Sequence, residues 1–283
     1  MLKVIRRKSI LKEAVDEFRK SNLSIGLVPT MGALHKGHIS LIEMSNMHYD
    51  VTIATIFVNP TQFNNTEDLA KYPRNEETDI ALLSKTGCRV VFIPSVDEIY
   101  ANPPLITLNF GYLEHIMEGK HRSGHFNGVG LVVAKLLGIA RPDGAYFGQK
   151  DLQQFRIISR LVSDLDIPVQ LHLAPIVREE NGLAMSSRNE RLTAEQRQLA
   201  GNLYKSLSLS SDLLFSGVPQ QEVKLAVYDF FKALDGVDLE YFEIVDFETL
   251  ENIPSLNEGD QLALCLAAYV AGVRLIDNLV IEL

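Results

Sequence analysis

No G-x-x-x-x-G-K-[ST] string occurs in these 283 residues, no G-x-G-x-x-G follows a strand, and no cysteine and histidine set has zinc spacing. These absences remove P-loop, dinucleotide-fingerprint and structural-zinc chemistries. Cysteine is scarce: Cys88 and Cys265 share no short-range motif and lie in apolar surroundings, so both read as buried thiols in a reducing compartment. Positive charge is also short, 27 Lys and Arg against 36 Asp and Glu, for a net charge of −9. That balance argues against nucleic acid or an anionic membrane as the main partner, so a bound polyanion must be met by a local cluster of donors. No apolar run is long enough to span a bilayer; "LALCLAAYVAGV" stops at Arg274. No signal peptide is visible either. Ile10, Leu11, Ala14, Val15 and Phe18 recur at helical spacing, interrupted by Glu13, Asp16 and Glu17, which predicts a mature amphipathic helix and a bacterial cytoplasmic protein. Without a secretory context the N-x-[ST] matches at Asn22 and Asn64 carry no weight.

What is present is an alternation. Strand-like runs at 24–29, 50–59, 89–94, 144–148 and 168–174 are separated by helical patterns at 38–48, 74–86, 127–139 and 151–165. Several of the runs are continuously β-branched, as in strands covered on both faces. The pattern predicts an α/β, Rossmann-like parallel sheet over residues 1–176, with ligands beyond the carboxyl ends of its strands. After the loop "VREENGLAMSSRNERL" come helical stretches at 193–215 and 219–234, then strands at 239–247, 261–270 and 273–283. Residues 177–283 therefore read as a smaller carboxyl-terminal α+β domain that carries the Ser-Ser-Arg loop at its start.

Three segments gather phosphate-directed donors. In "LVPTMGALHKGHISL" (27–41) a strand ends near Pro29, a tight loop follows, and a helix begins around His38. A helix amino terminus offers unpaired N–H groups and partial positive charge. Gly32 and Gly37 allow close backbone approach, while His35 and His38 can share a face and donate to one phosphate. A turn that merely holds two histidines satisfies the same string. "GQKDLQQF" (148–155) also follows an apolar strand; Lys150 supplies a mobile charge, and Asp151 either faces the same cleft or caps the helix. "AMSSRN" (184–189) sets Ser186, Ser187 and Arg188 in a row, either as anion donors or as a polar loop before Leu192. "GKHRSGHFNGVG" (119–130), with His121, Arg122 and His125, reads as a mobile lid or substrate loop, or as a plain surface loop. Asn59, Gln62, Gln153 and Gln154 can hold a hydroxyl and a carboxylate without adding charge, although any one glutamine alone also reads as a surface residue. Tyr72 and Arg74 are further cleft candidates.

Taken in order, "PTMGALHKGH", "FVNPTQF", "YPR", "HFNGV", "FGQKDLQQ", "MSSRN" and "RLIDN" resemble the pantothenate synthetase family over nearly the whole chain. The resemblance implies the H-x-G-H nucleotidyltransferase type of fold, shared with class I aminoacyl-tRNA synthetases. It implies condensation of (R)-pantoate with β-alanine, with ATP converted to AMP and pyrophosphate, magnesium carried mainly by the ATP phosphates, and a homodimer. It places ATP on Met31, Gly32, Ala33, Leu34, His35, Lys36, Gly37 and His38. The same nucleotide site takes in Gly148, Gln149, Lys150 and Asp151, then Val177, Met185, Ser186, Ser187 and Arg188. His38 falls at the family's proton-donor position, with His35 and Lys150 as its catalytic companions. Gln62 would contact pantoate and β-alanine, Gln154 would contact pantoate, and Asn59 and Arg122 are further substrate candidates. Gln149 departs from the family's G-E-K-D string, which removes any role needing a carboxylate there.

The chemistry agrees with that assignment. A carboxylate is a poor acyl donor until its oxygen attacks the α-phosphorus of ATP and expels pyrophosphate; the amine then attacks the acyl carbon and AMP departs. Two other classes share parts of the pattern: a nucleotidyltransferase that keeps the nucleotide on its product, and a non-catalytic nucleotide sensor.

Overall fold

The computed structural model describes residues 1–64 and 66–283; the middle residue of the 64–66 N-x-[ST] match lies outside them. The chain divides into two compact units, one of Met1–Gln149 with Gln153–Pro175 and one of Lys150–Leu152 with Ile176–Leu283.

The first unit begins with β1 (Lys3–Ile5), α1 (Lys8–Lys20), β2 (Ile25–Thr30), α2 (Lys36–His48) and β3 (Val51–Ile56). It continues through α3 (Thr66–Lys71), α4 (Glu76–Leu83), β4 (Val90–Phe92), α5 (Val96–Ile99), α6 (Met117–His121) and α7 (His125–Ala140). It closes with β5 (Gly144–Gly148), α8 (Leu152–Asp164) and β6 (Gln170–Ala174). All neighbouring strands are parallel, in the order β1-β4-β3-β2-β5-β6. Both faces are covered, and successive strand residues alternate between two cores. Ile25, Leu27, Ile53, Phe92 and Phe147 pack with α1, α7 and α8. Val28, Ala54, Ile56, Val91 and Tyr146 pack with Leu41 and Ile42 of α2 and Leu83 of α4. This explains why the strands read as unbroken apolar runs.

Beyond the edge strand β1 the order is that of a doubly wound nucleotide fold, with β2 and β5 adjacent where the winding reverses. The loops after β2 and β5 therefore leave the sheet at its switch point. The Rossmann-like parallel sheet predicted from the alternation is present. Segment 119–130 departs from expectation: it is neither lid nor surface loop from His125 onward, because His125 and Phe126 are buried at the start of α7.

In the second unit α9 (Ala194–Ala200), α10 (Asn202–Phe215) and α11 (Gln220–Lys232) precede β7 (Val237–Asp246), β8 (Gln261–Val270) and β9 (Val273–Glu282). The strands form an antiparallel meander, β7-β8-β9, with a two-residue turn between Val270 and Val273. Leu203, Leu207, Val223, Val227 and Phe231 of the helices pack on Leu262, Leu264 and Leu266 of β8. Cys88 and Cys265 are buried, one in each unit, and burial pushes the Cys88 thiol up to about 11.

Candidate active site

Thr30 ends β2 by donating its hydroxyl to the Thr55 carbonyl at 2.6 Å and accepting the Gly32 N–H at 3.2 Å. Gly32 (φ +86°) and Ala33 (φ +49°) then take left-handed backbone, which turns the chain back toward the sheet. Asp79 of α4 holds that turn. Its carboxylate, 2% exposed, accepts the N–H of Ala33 at 2.9 Å and of Leu34 at 2.7 Å. Burial raises the Asp79 pKa and the two backbone bonds oppose it. Nothing in "NEETDIALL" marks this residue as different from an ordinary helix acid.

The helix α2 starts two residues earlier than the spacing predicts, with His35 as its N-cap. His35 Nδ1 accepts the Gly37 N–H at 3.2 Å, and His38 Nδ1 accepts the His35 N–H at 3.3 Å, a reciprocal capping box. With Nδ1 an acceptor in both rings, each neutral imidazole carries its proton on Nε2, so each is a donor there. The ring centroids are 4.0 Å apart. The turn reading of this string is thus seen directly, since both histidines cap the helix through Nδ1.

Gln62 lies in a short 3-10 turn after β3 and is 7% exposed. Asn59 Nδ2 donates to Gln62 Oε1 at 3.0 Å, so the Gln62 amide offers its N–H2 end, which reaches Met31 Sδ at 3.2 Å. Asn59 itself is 1% exposed and saturated. Its amide also donates to the Gly128 carbonyl, and its Oδ1 accepts from the Thr61 and Tyr100 hydroxyls. Direct substrate contact by Asn59 gives way to orientation of Gln62. The predicted candidates Gln153 and Arg122 are likewise engaged. Gln153, 5% exposed, ties α8 to the Leu113 and Ile116 carbonyls and the Glu118 N–H. Arg122 pairs with Glu118 at 3.4 Å. His125 Nδ1 lies 2.9 Å from the Gln62 carbonyl. Gln154 is half-buried in the first turn of α8. Beside Met31 and Gly32 a pocket of about 250 Å³ is lined by Arg74, Ser95 and the apolar ends of β3 and β4.

In the second unit Lys150 Nζ lies 3.5 Å from both Asp151 carboxylate oxygens, and its side chain is 17% exposed. Residues 177–185 form a narrow hairpin. Arg178 bridges Ala184, and Met185 N–H bonds to the Val177 carbonyl at 2.9 Å, so these two candidates are adjacent. Ser186 then caps a 3-10 turn, accepting the Arg188 N–H at 3.2 Å, and Ser187 is 5% exposed. Asn189 closes the hairpin onto Glu179 and the Ala184 carbonyl.

The sheet order and the paired imidazoles at the amino end of the first crossover helix define the class: an α/β enzyme of the H-x-G-H type. A family model described as pantoate-beta-alanine ligase matches residues 3–280. The chain is 48% identical to the pantothenate synthetase of Cytophaga hutchinsonii over 94% of its own length and 95% of the relative's. The crystal structure of the Thermus thermophilus enzyme is 37% identical and superposes with a TM-score of 0.92 over 99% of both chains. A pantoate-beta-alanine ligase from Francisella tularensis, complexed with beta-gamma ATP and beta-alanine, is 35% identical with a TM-score of 0.82, covering 99% of this chain and 97% of that one. The chain belongs to the pantoate–β-alanine ligase family, and its reaction is the joining of pantoate to β-alanine.

Proposed function

We propose that this chain activates the carboxylate of (R)-pantoate with ATP to form pantoyl adenylate and pyrophosphate. The unprotonated amine of β-alanine then attacks the acyl carbon, AMP leaves, and the amine sheds a proton as the amide forms. The observation that carries this reading is the imidazole pair at the start of α2, each ring held through Nδ1 so that its proton, when neutral, sits on Nε2. Donors fixed in this way stabilise the charge that grows on an α-phosphate during attack, without reorganising. His38 is the principal donor, with His35 and Lys150 beside it in the mechanism. Backbone from Met31 to His38 and Gly148 to Asp151, with Val177 and Met185, holds the nucleotide. Ser186, Ser187 and Arg188 hold the departing pyrophosphate.

Gln62 donates through its N–H2 end to pantoate and then to β-alanine, Gln154 contacts pantoate, and Arg122 is a further substrate candidate. ATP enters as its magnesium complex. The ATP phosphates would be the main carriers of that ion. Residues 1–176 would carry pantoate and the histidines, and residues 177–283 the serine-arginine loop. A cytoplasmic homodimer is the proposed setting.

The test is isotope exchange. Enzyme, magnesium, ATP and pantoate without β-alanine should exchange labelled pyrophosphate into ATP, because an acyl phosphate anhydride is about as energetic as the bond it replaces. Omitting pantoate should abolish exchange, and adding β-alanine should release AMP. Exchange that required β-alanine would sink the stepwise scheme.

A further inference from the structure

β9 is apolar along most of its length, yet two polar residues stand side by side in it, Asp277 and Asn278, each 2% exposed. Asp277 holds Arg178 as a two-bond fork, Nη1 to Oδ2 at 2.6 Å and Nη2 to Oδ1 at 3.0 Å. Arg178 also donates to the carbonyls of Gly182 at 3.0 Å and Asn278 at 3.1 Å, and stacks 3.9 Å over the Tyr204 ring. Through one guanidinium, β9 thus grips the base and the tip of the hairpin that leads into Met185–Arg188. Asn278 turns to another segment: its Nδ2 donates to the Lys150 carbonyl at 3.1 Å. Its own N–H bonds to Asp277 Oδ1 at 2.8 Å, coupling the two grips.

Burying these groups costs desolvation, and an apolar pair of similar volume would hold a strand in place at least as well. What an apolar pair cannot supply is direction. A bidentate Arg–carboxylate fork fixes the plane and azimuth of the guanidinium, and an amide bonded to a carbonyl fixes the peptide that aims Lys150. We propose that Asp277 and Asn278 are positioning residues for pantoate activation, Asp277 setting the serine-arginine hairpin through Arg178 and Asn278 setting Lys150 through its carbonyl. The inference rests on the reading above that Lys150 and Met185–Arg188 hold the nucleotide.

Four variants test it: Asn278→Ala, the paired change Arg178→Met with Asp277→Leu, and the reference changes Lys150→Ala and Arg188→Ala. Each is measured for melting temperature and, in pantoate-dependent pyrophosphate exchange, for KM of ATP, KM of pantoate and kcat. Misplacement by about an ångström costs up to about 100-fold. Asn278→Ala and the paired variant should therefore lose about 10- to 100-fold in kcat/KM for ATP. Their KM for pantoate should change less than about threefold, and the paired variant should melt within a few degrees of the parent. A paired variant that keeps both the parental melting temperature and parental exchange, with Asn278→Ala at parental KM for ATP, would show the contacts to be structural only and overturn the inference. Should the paired variant not fold, Asn278→Ala decides alone. If Lys150→Ala and Arg188→Ala themselves leave exchange intact, it is the nucleotide assignment that fails, an outcome separate from the first.

Discussion

Replacing His38 separates two roles that a single imidazole carries. As the third helical residue it caps through Nδ1, and as a Nε2 donor it is proposed to serve the reaction. Glutamine at that position can still complete a capping box but presents no imidazole. His38→Ala should lower the exchange rate by about 10²–10³, the usual cost of one transition-state donor, and His38→Gln, which keeps an amide N–H, should lower it less. Only His38→Ala should also lose about 1 kcal/mol of stability, read by thermal melting. Parental exchange in His38→Ala would reduce the histidine to a cap. The H-x-G-H string is legible because its residues are contiguous and its chemistry is in its side chains. Asp79 is not, since its role is to receive two backbone N–H groups from a loop far away in sequence. Asn59 misleads for a related reason: an amide beside a site looks the same in sequence whether it meets substrate or another amide.

At the level of elements, the sheet strands announce themselves through apolar runs because both faces are covered, whereas β1, three residues with one buried side chain, carries no such signal. The start of α7 is obscured by glycines that helices usually avoid. Gly128 is there because a Cβ would come 2.3 Å from the Thr61 carbonyl oxygen, so the helix can press against the turn that holds Gln62. The opposite end of α2 is anchored by a cluster the sequence does not reveal. His48 Nδ1 meets the Tyr146 hydroxyl at 2.7 Å, Tyr49 meets His172 Nε2 at 2.9 Å, and the Tyr146 and His172 rings stack at 4.4 Å. Burial, and then His48, lower the His172 pKa. Below the ordinary histidine value of about 6.5 the unfolded chain therefore binds a proton that the folded chain resists, so stability falls as pH drops through that window and levels off above it. Melting curves should show this acid-side loss, and His172→Phe, which keeps a ring against Tyr146, should flatten it. An identical slope in the variant would mean that other groups govern it.

For the whole molecule, the telling feature is a bare aliphatic stretch. Residues 101–110 carry no helix or strand, and within them Leu105 is 98% exposed and Ile106 69% exposed. Adjacent bare aliphatic side chains on irregular backbone suit burial against a second copy, in line with the proposed homodimer. Charge works against that association, since each chain carries −9. Salt should therefore tighten the dimer by screening the repulsion, opposite to what an interface built on ion pairs would do. Sedimentation equilibrium should give twice the chain mass of 31.6 kDa at micromolar concentration, and the melting temperature should rise with protein concentration. Burying an aliphatic side chain contributes about 1.5–3 kcal/mol. Leu105→Asp with Ile106→Asp should therefore raise the dimer Kd by at least about 100-fold, while the fold, read by circular dichroism, stays intact. A monomeric parent at tens of micromolar, or a double variant with unchanged Kd, would exclude this segment from the interface.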